Sequence, residues 1–142
     1  MDISLQKKLF HKYKSIFRQK DLPMTETCMC WGIDCGNGWY YIIDELCNCI
    51  TRYVINDETR KVEASQVKQK FGGLRFYISG FSDPYIEGLI SMAEGMSYHV
   101  CEMCGSSNNV GIISDIYLES LCEKCNIKKR KSRKKSKTRT KK

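Results

Sequence analysis

Cys101-Glu102-Met103-Cys104-Gly105 and Cys122-Glu123-Lys124-Cys125 are two C-x-x-C pairs separated by seventeen residues. Two residues between thiolates let one tight turn present both sulfurs to a single ion about 2.3 Å away. Gly105 then relieves the backbone where the turn closes. Four thiolates select zinc among the available metals, although iron fits the same cage. With every position filled by protein, no coordination site is left for a catalytic water. The expectation is one structural Zn²⁺ held by Cys101, Cys104, Cys122 and Cys125. A thioredoxin-like redox pair would need only one C-x-x-C. A zinc deaminase would need His-x-Glu and Pro-Cys-x-x-Cys, and neither occurs here. His99, two residues before Cys101, is an alternative ligand by position, with packing or solvent as its ordinary role.

The second pair runs directly into Lys128, Lys129, Arg130, Lys131, Arg133, Lys134, Lys135, Lys137, Arg139, Lys141 and Lys142. Residues 128–142 contain no apolar side chain to bury, so self-repulsion predicts a disordered polybasic tail. The partner of such a tail is a polyanion, most simply the phosphates of DNA or RNA. Neutralising about five phosphates would give a log–log salt slope near −4. Nothing in the tail reads bases; it supplies affinity without sequence information. A nuclear-localisation signal and a solubilising tail are the competing readings.

The charge is unevenly placed. The chain of 142 residues carries +8 overall, but the tail holds eleven of the 24 basic residues and no acidic one. The remaining body has 13 basic against 16 acidic residues and is mildly anionic. A hydrophobic content of 42% is enough for one core. No apolar run is long enough for a membrane span, and the first residues contain no signal-peptide core. Nine cysteines without a secretion signal point to reduced thiols in a cytoplasmic setting. With only His11 and His99, zincin-type hydrolysis is excluded. Cys28, Cys30, Cys35 and Cys47 match no familiar zinc spacing, which favours free thiols over a second metal.

These residues need an α+β scaffold to position them. Leu5, Leu9, Tyr13, Ile16 and Phe17 predict an amphipathic helix over 4–19, in an N-terminal segment 1–22. A core over 23–100 follows. In it Asn37 is a candidate N-cap, and the stripe Trp39, Ile42, Ile43, Leu46, Ile50, Tyr53 and Val54 predicts a helix to about residue 55. Val62 to Gly80 reads as a hairpin turning at Gly72-Gly73, with Leu74, Phe76 and Ile78 on the buried face. Its other face offers Lys68, Lys70, Arg75 and Tyr77 as candidate surface contacts for nucleic acid. Ser82-Asp83-Pro84 starts a further helix to about Ser97. Over 101–127, strands at Val110–Ile113 and Ile116–Leu118 separate the cysteine pairs. That order fits a treble-clef finger, or alternatively a zinc ribbon.

Taken in order, Asp34-Cys35-Gly36-Asn37-Gly38-Trp39-Tyr40, Ile43-Asp44-Glu45-Leu46-Cys47, Gln66-Val67-Lys68-Gln69-Lys70-Phe71-Gly72-Gly73-Leu74-Arg75-Phe76-Tyr77 and the two cysteine pairs carry a resemblance. Over residues 31–125 the chain resembles a family of small proteins often encoded by tailed bacteriophages and prophages. Members commonly end on Cys-x-x-His where this chain has Cys125, a swap that zinc accepts, and the cationic tail is not part of the pattern. The resemblance implies a phage origin and a host-cytoplasm setting, and no activity.

Three functions follow as expectations. The first is a non-enzymatic zinc-finger protein that binds nucleic acid or a nucleoprotein assembly through tail and finger. The second is a host-interaction protein acting by protein–protein binding. The third is a metal-dependent nuclease using Asp34, Asp44 and Glu45 opposite the basic hairpin.

Overall fold

A computed structural model describes residues 1–114 and 117–139, with side chains as far as Arg133. The fold is α+β. Helix α1 spans Ile3–Lys12, α2 Tyr40–Val54, α3 Pro84–Ser97 and α4 Glu123–Arg139. Strands β1 (Ile33–Asp34), β2 (Val62–Lys70) and β3 (Gly73–Gly80) form one sheet, while β4 (Val110–Ser114) and β5 (Leu118–Cys122) form a second.

The first helix is shorter than its apolar spacing predicts. Tyr13 leaves helical geometry at φ −122°, and its hydroxyl donates to the Asp44 carbonyl at 2.8 Å and to Asp44 Oδ1 at 2.9 Å. Three residues later the Ile16 carbonyl accepts from Ala64 N–H at 2.7 Å. A continued helix would have spent that carbonyl internally. Leu9, Tyr13, Ile16 and Phe17 are nevertheless all buried, so the stripe marks the core correctly while the backbone changes beneath it.

Asn37 does not cap α2. Its Oδ1 accepts from the Asp2 backbone N–H at 2.8 Å and its Nδ2 donates to Asp2 Oδ2 at 2.6 Å, tying the start of α1 to the approach to α2. A 3₁₀ turn over Asn37–Trp39 leads into α2 instead. From there Trp39, Ile43, Leu46 and Ile50 bury the predicted face. Fully burying each of Ile43, Leu46 and Ile50 stabilises the fold by about 1.5–3 kcal/mol.

The hairpin forms with its turn displaced by one residue. Lys70 pairs with Gly73, so Phe71 and Gly72 are the two central residues, at φ +53° and +81°. Gly73 is glycine for another reason: a Cβ there would lie 2.5 Å from the Tyr98 ring. Val67 and Phe76 pair on the buried face, while Lys68 and Arg75 pair on the opposite one. Ser65 is the extra residue of a bulge between Ala64 and Gln66. The short β1 pairs in parallel with β2, Ile33 opposite Val67.

The sheet edges are covered by side chains. On the β3 edge, Leu74 N–H donates to Ser97 Oγ at 2.8 Å and Phe76 N–H to Glu94 Oε1 at 3.0 Å, both from α3. On the β1 edge, Ile33 N–H donates to Gln6 Oε1 at 2.9 Å. Such coverage removes the template for edge-to-edge pairing. Helix α3 begins as its sequence predicts, with Asp83 Oδ1 accepting from Tyr85 and Ile86 N–H and Pro84 in the first turn.

Candidate metal centre

Two local structures bring the four cysteines together. Cys101–Gly105 is a tight knuckle, closed by Gly105 N–H donating to the Cys101 carbonyl and Cys101 N–H donating to the Ser106 carbonyl, both at 2.8 Å. Gly105 sits at φ +77°, a conformation that a side chain would strain. The chain then forms the β4–β5 hairpin in the register Val110 to Cys122 through Ser114 to Leu118. The observed β5 lies further along the chain than the expected strand over 116–118, and Ile116 is outside the described residues. Because β5 ends at Cys122 and α4 starts at Glu123, the second pair straddles a strand end and a helix start.

The four Sγ atoms lie within 4.8 Å of one another. Cys104 Sγ and Cys122 Sγ are 3.7 Å apart. A tetrahedron with metal–sulfur bonds of 2.3 Å has edges of about 3.8 Å, so this pair already stands at ligand spacing. Cys101, Cys122 and Cys125 are buried and Cys104 is exposed. The four cysteines are placed to hold one metal ion, and an all-thiolate tetrahedral set is that of zinc.

Backbone N–H groups favour charge on the Cys122 sulfur, whereas burial opposes it at Cys101 and Cys125. The Cys125 N–H points at the Cys122 sulfur and brings that thiol down to about 7. In helical terms Cys122 is the N-cap of α4 and its sulfur takes the place of a serine oxygen. Burial pushes the Cys101 thiol up, against N–H groups of Cys122, Cys104 and Met103 that favour the thiolate. The partial positive charge of the α4 N-terminus adds to this preference for anionic ligands.

The knuckle is held from outside by residues the sequence pattern assigned elsewhere. Gly36 and Gly38 press against it: a Cβ on Gly36 would lie 2.2 Å from the Glu102 carbonyl oxygen, and one on Gly38 2.1 Å from that of Cys101. In return Gly38 N–H donates to the Glu102 carbonyl at 2.7 Å, and Gly36 N–H to Glu102 Oε1 at 3.0 Å. Trp39 Nε1 donates to the Val100 carbonyl at 2.9 Å. Glu102 is buried and burial pushes its carboxyl upward; its Oε2 finds no hydrogen-bond partner among the described residues. The β2–β3 turn supports the other side, with Ser120 Oγ donating to the Gly72 carbonyl at 2.6 Å and Gln69 donating to the Leu118 carbonyl. A pair of glycines spaced G-x-G shortly before an aromatic helix start was the only sequence trace of this contact.

The remaining expected residues are distributed over the surface. His99 is exposed and belongs to no ligand cluster among the described residues. Cys28, Cys30, Cys35 and Cys47 also form no second cluster there; Cys35 and Cys47 are buried, and burial pushes the Cys35 thiol up to about 12. The carboxylates of the nuclease expectation are not brought together. Asp44 is taken by Lys12 at 2.8 Å and by Tyr13, Glu45 accepts from Asn48, and Asp34 pairs in register with Lys68 on the exposed sheet face. Among the described residues these three carboxylates belong to no shared metal-binding cluster.

Of the four hairpin contacts, Arg75 is committed to α3 through Tyr98 OH at 2.9 Å and Glu94 at 3.7 Å. Lys68 lies 5.7 Å from the Tyr77 ring centre, and Lys70 lies 5.4 Å from that of Phe71. Residues 128–133, the start of the run expected to be disordered, are described as part of α4. Lys128 and Lys131 are exposed along it, and Lys129 pairs with Glu119 of β5. The side chains of Lys134, Lys135, Lys137 and Arg139, and all of Lys141 and Lys142, lie outside the described residues. Among those described, no helix is long and apolar enough to cross a membrane. No family model, curated protein or solved structure matches the chain.

Proposed function

We propose that this is a non-enzymatic treble-clef zinc protein that binds nucleic acid, alone or within a nucleoprotein assembly, through its finger and basic C-terminal run. The treble-clef assignment is supported by the order of knuckle, β4–β5 hairpin and a ligand pair entering α4. A ribbon would place the second pair on another knuckle. The zinc is structural, because four protein sulfurs complete its coordination. The observation that carries the nucleic-acid reading is the mounting of the cations: α4 begins at the metal ligands and continues into the basic run. Lys128 and Lys131 are exposed on that helix, within three turns of the ligand pair. The resemblance to phage- and prophage-encoded proteins supports a bacterial cytoplasm as the setting.

Truncation after Arg133 tests this reading while preserving the Lys129–Glu119 pair. It removes six basic residues, namely Lys134, Lys135, Lys137, Arg139, Lys141 and Lys142. Binding to duplex DNA should weaken and its salt slope flatten by up to about five. Unchanged affinity and slope for DNA and RNA would refute the role of the basic run, and absence of binding by the full chain would refute the reading as a whole.

A second reading, docking on a host protein, is supported by a groove of about 180 Å³ between α2 and α3. Tyr41, Met92 and Met96 line it at 79%, 58% and 48% exposure, beside the carboxylate of Glu45. Host partners retained after nuclease treatment of a lysate would favour it, and their complete loss would count against it.

A further inference from the structure

Phe71 occupies a position that its own backbone disfavours. It is the first central residue of a two-residue hairpin turn at φ +53°, followed by Gly72 at +81°. Two positive φ values in succession are the geometry for which Asn-Gly is preferred, because a bulky side chain is strained there. Burial does not offset the strain, since the ring is 65% exposed. A local rule broken without a packing gain points to function.

The surroundings indicate what the ring meets. Lys70 Nζ stands 5.4 Å from the Phe71 ring centre, and on the same sheet face Lys68 Nζ stands 5.7 Å from that of the partly exposed Tyr77. Asp34 is the carboxylate in register with Lys68, and Glu94 is drawn off by Arg75. The turn is also anchored next to the origin of the basic helix. Ser120 holds the Gly72 carbonyl, and the neighbouring Glu119 holds Lys129 of α4. An exposed aromatic therefore projects from a fixed point beside the first cations of α4. Aromatic rings next to lysines bind nucleobases by stacking, which requires a base whose face is not covered by its neighbours in a duplex.

We propose that Phe71 is a base-stacking residue and that the nucleic acid bound is single-stranded or locally unpaired. This inference rests on the nucleic-acid reading and narrows it from any polyanion to one with accessible base faces. The cations of α4 supply affinity for the backbone, and Phe71 supplies the preference for unpaired bases.

The test uses the full zinc-loaded chain with a twenty-nucleotide oligothymidylate and a twenty-base-pair duplex, by fluorescence anisotropy across salt concentrations. Phe71→Ala should weaken oligothymidylate binding by about tenfold, within the range for loss of one stacked base. Its salt slope and its duplex affinity should stay unchanged. Phe71→Asn supplies the control for folding: asparagine suits this turn, so thermal stability should hold or rise while the same binding is lost. Phe71→Trp should retain binding. If the alanine and asparagine variants bind oligothymidylate like wild type, or lose duplex and single-strand binding equally, the stacking role is wrong and the nucleic-acid reading survives. If wild type binds neither probe, both fail.

Discussion

Replacing Gly38 by alanine would set a methyl carbon 2.1 Å from the Cys101 carbonyl oxygen and 2.4 Å from the Gly105 backbone nitrogen. Gly38 is not among the residues with positive φ, so alanine is conformationally allowed and the effect is steric. The segment must retreat by about 1 Å to restore ordinary contact, which is overpacking of a kind that costs about 1–3 kcal/mol. That retreat also withdraws the 2.7 Å hydrogen bond from Gly38 N–H to the Glu102 carbonyl. A bond of this type contributes about 0.5–1.5 kcal/mol. The sum is about 2–4 kcal/mol, or about 7–15 °C in Tm for a domain of this size. Because the displaced knuckle carries Cys101 and Cys104, part of the loss should appear as weaker metal binding, with tenfold in Kd for each 1.4 kcal/mol.

Urea denaturation of the zinc-loaded protein and chelator competition would read the two shares. Gly88→Ala makes the same chemical change inside α3, where a Cβ meets nothing within 4 Å. It should stabilise the protein by about 0.5–1 kcal/mol through helix propensity. Opposite signs for the two substitutions are the signature of the packing argument. A Gly38→Ala protein within about 0.5 kcal/mol of wild type, with unchanged zinc affinity, would refute it.

Two further perturbations address the metal and the alkaline limit of the fold. Native mass spectrometry should find one zinc per chain, and Cys104→Ser should remove it; chelator should lower the wild-type Tm and leave that of the variant unchanged, whereas equal melting of the two would refute the metal centre. Burial pushes the Tyr13 phenol from its ordinary value near 10 up to about 12. With the folded value raised, its contribution is fully present below about pH 10 and lost as pH rises toward 12. Tyr13→Phe should cost about 1–2 kcal/mol at neutral pH and remove that part of the alkaline stability loss, as measured by urea denaturation at stepped pH. An unaltered alkaline profile in the variant would contradict the assignment.

The metal centre was legible because its chemistry is local. Two C-x-x-C turns present sulfur pairs by their own geometry, and the intervening length suits one hairpin. Asp83-Pro84 was legible for the same reason, since an N-cap acts on N–H groups two and three residues away. The buried faces of α2 and β3 followed from period alone.

What tertiary structure decided were the competitions between local preference and distant partners. Helix α1 ends at Lys12 because the Tyr13 hydroxyl goes to Asp44 and the Ile16 carbonyl to Ala64, contacts 31 and 48 residues away in sequence. The glycines show the limit most clearly. Gly72 is needed for its positive φ, Gly73 for the Tyr98 ring, and Gly36 and Gly38 for the backbone of the metal knuckle. The sequence does not separate these roles, because the absence of a Cβ does not reveal whether torsion or close approach requires it. Local spacing singled out the four cysteines that the fold brings together to hold one metal ion; the packing of a distant glycine segment decides how firmly the knuckle is held, and one displaced turn residue puts Phe71 rather than a second glycine at the hairpin tip.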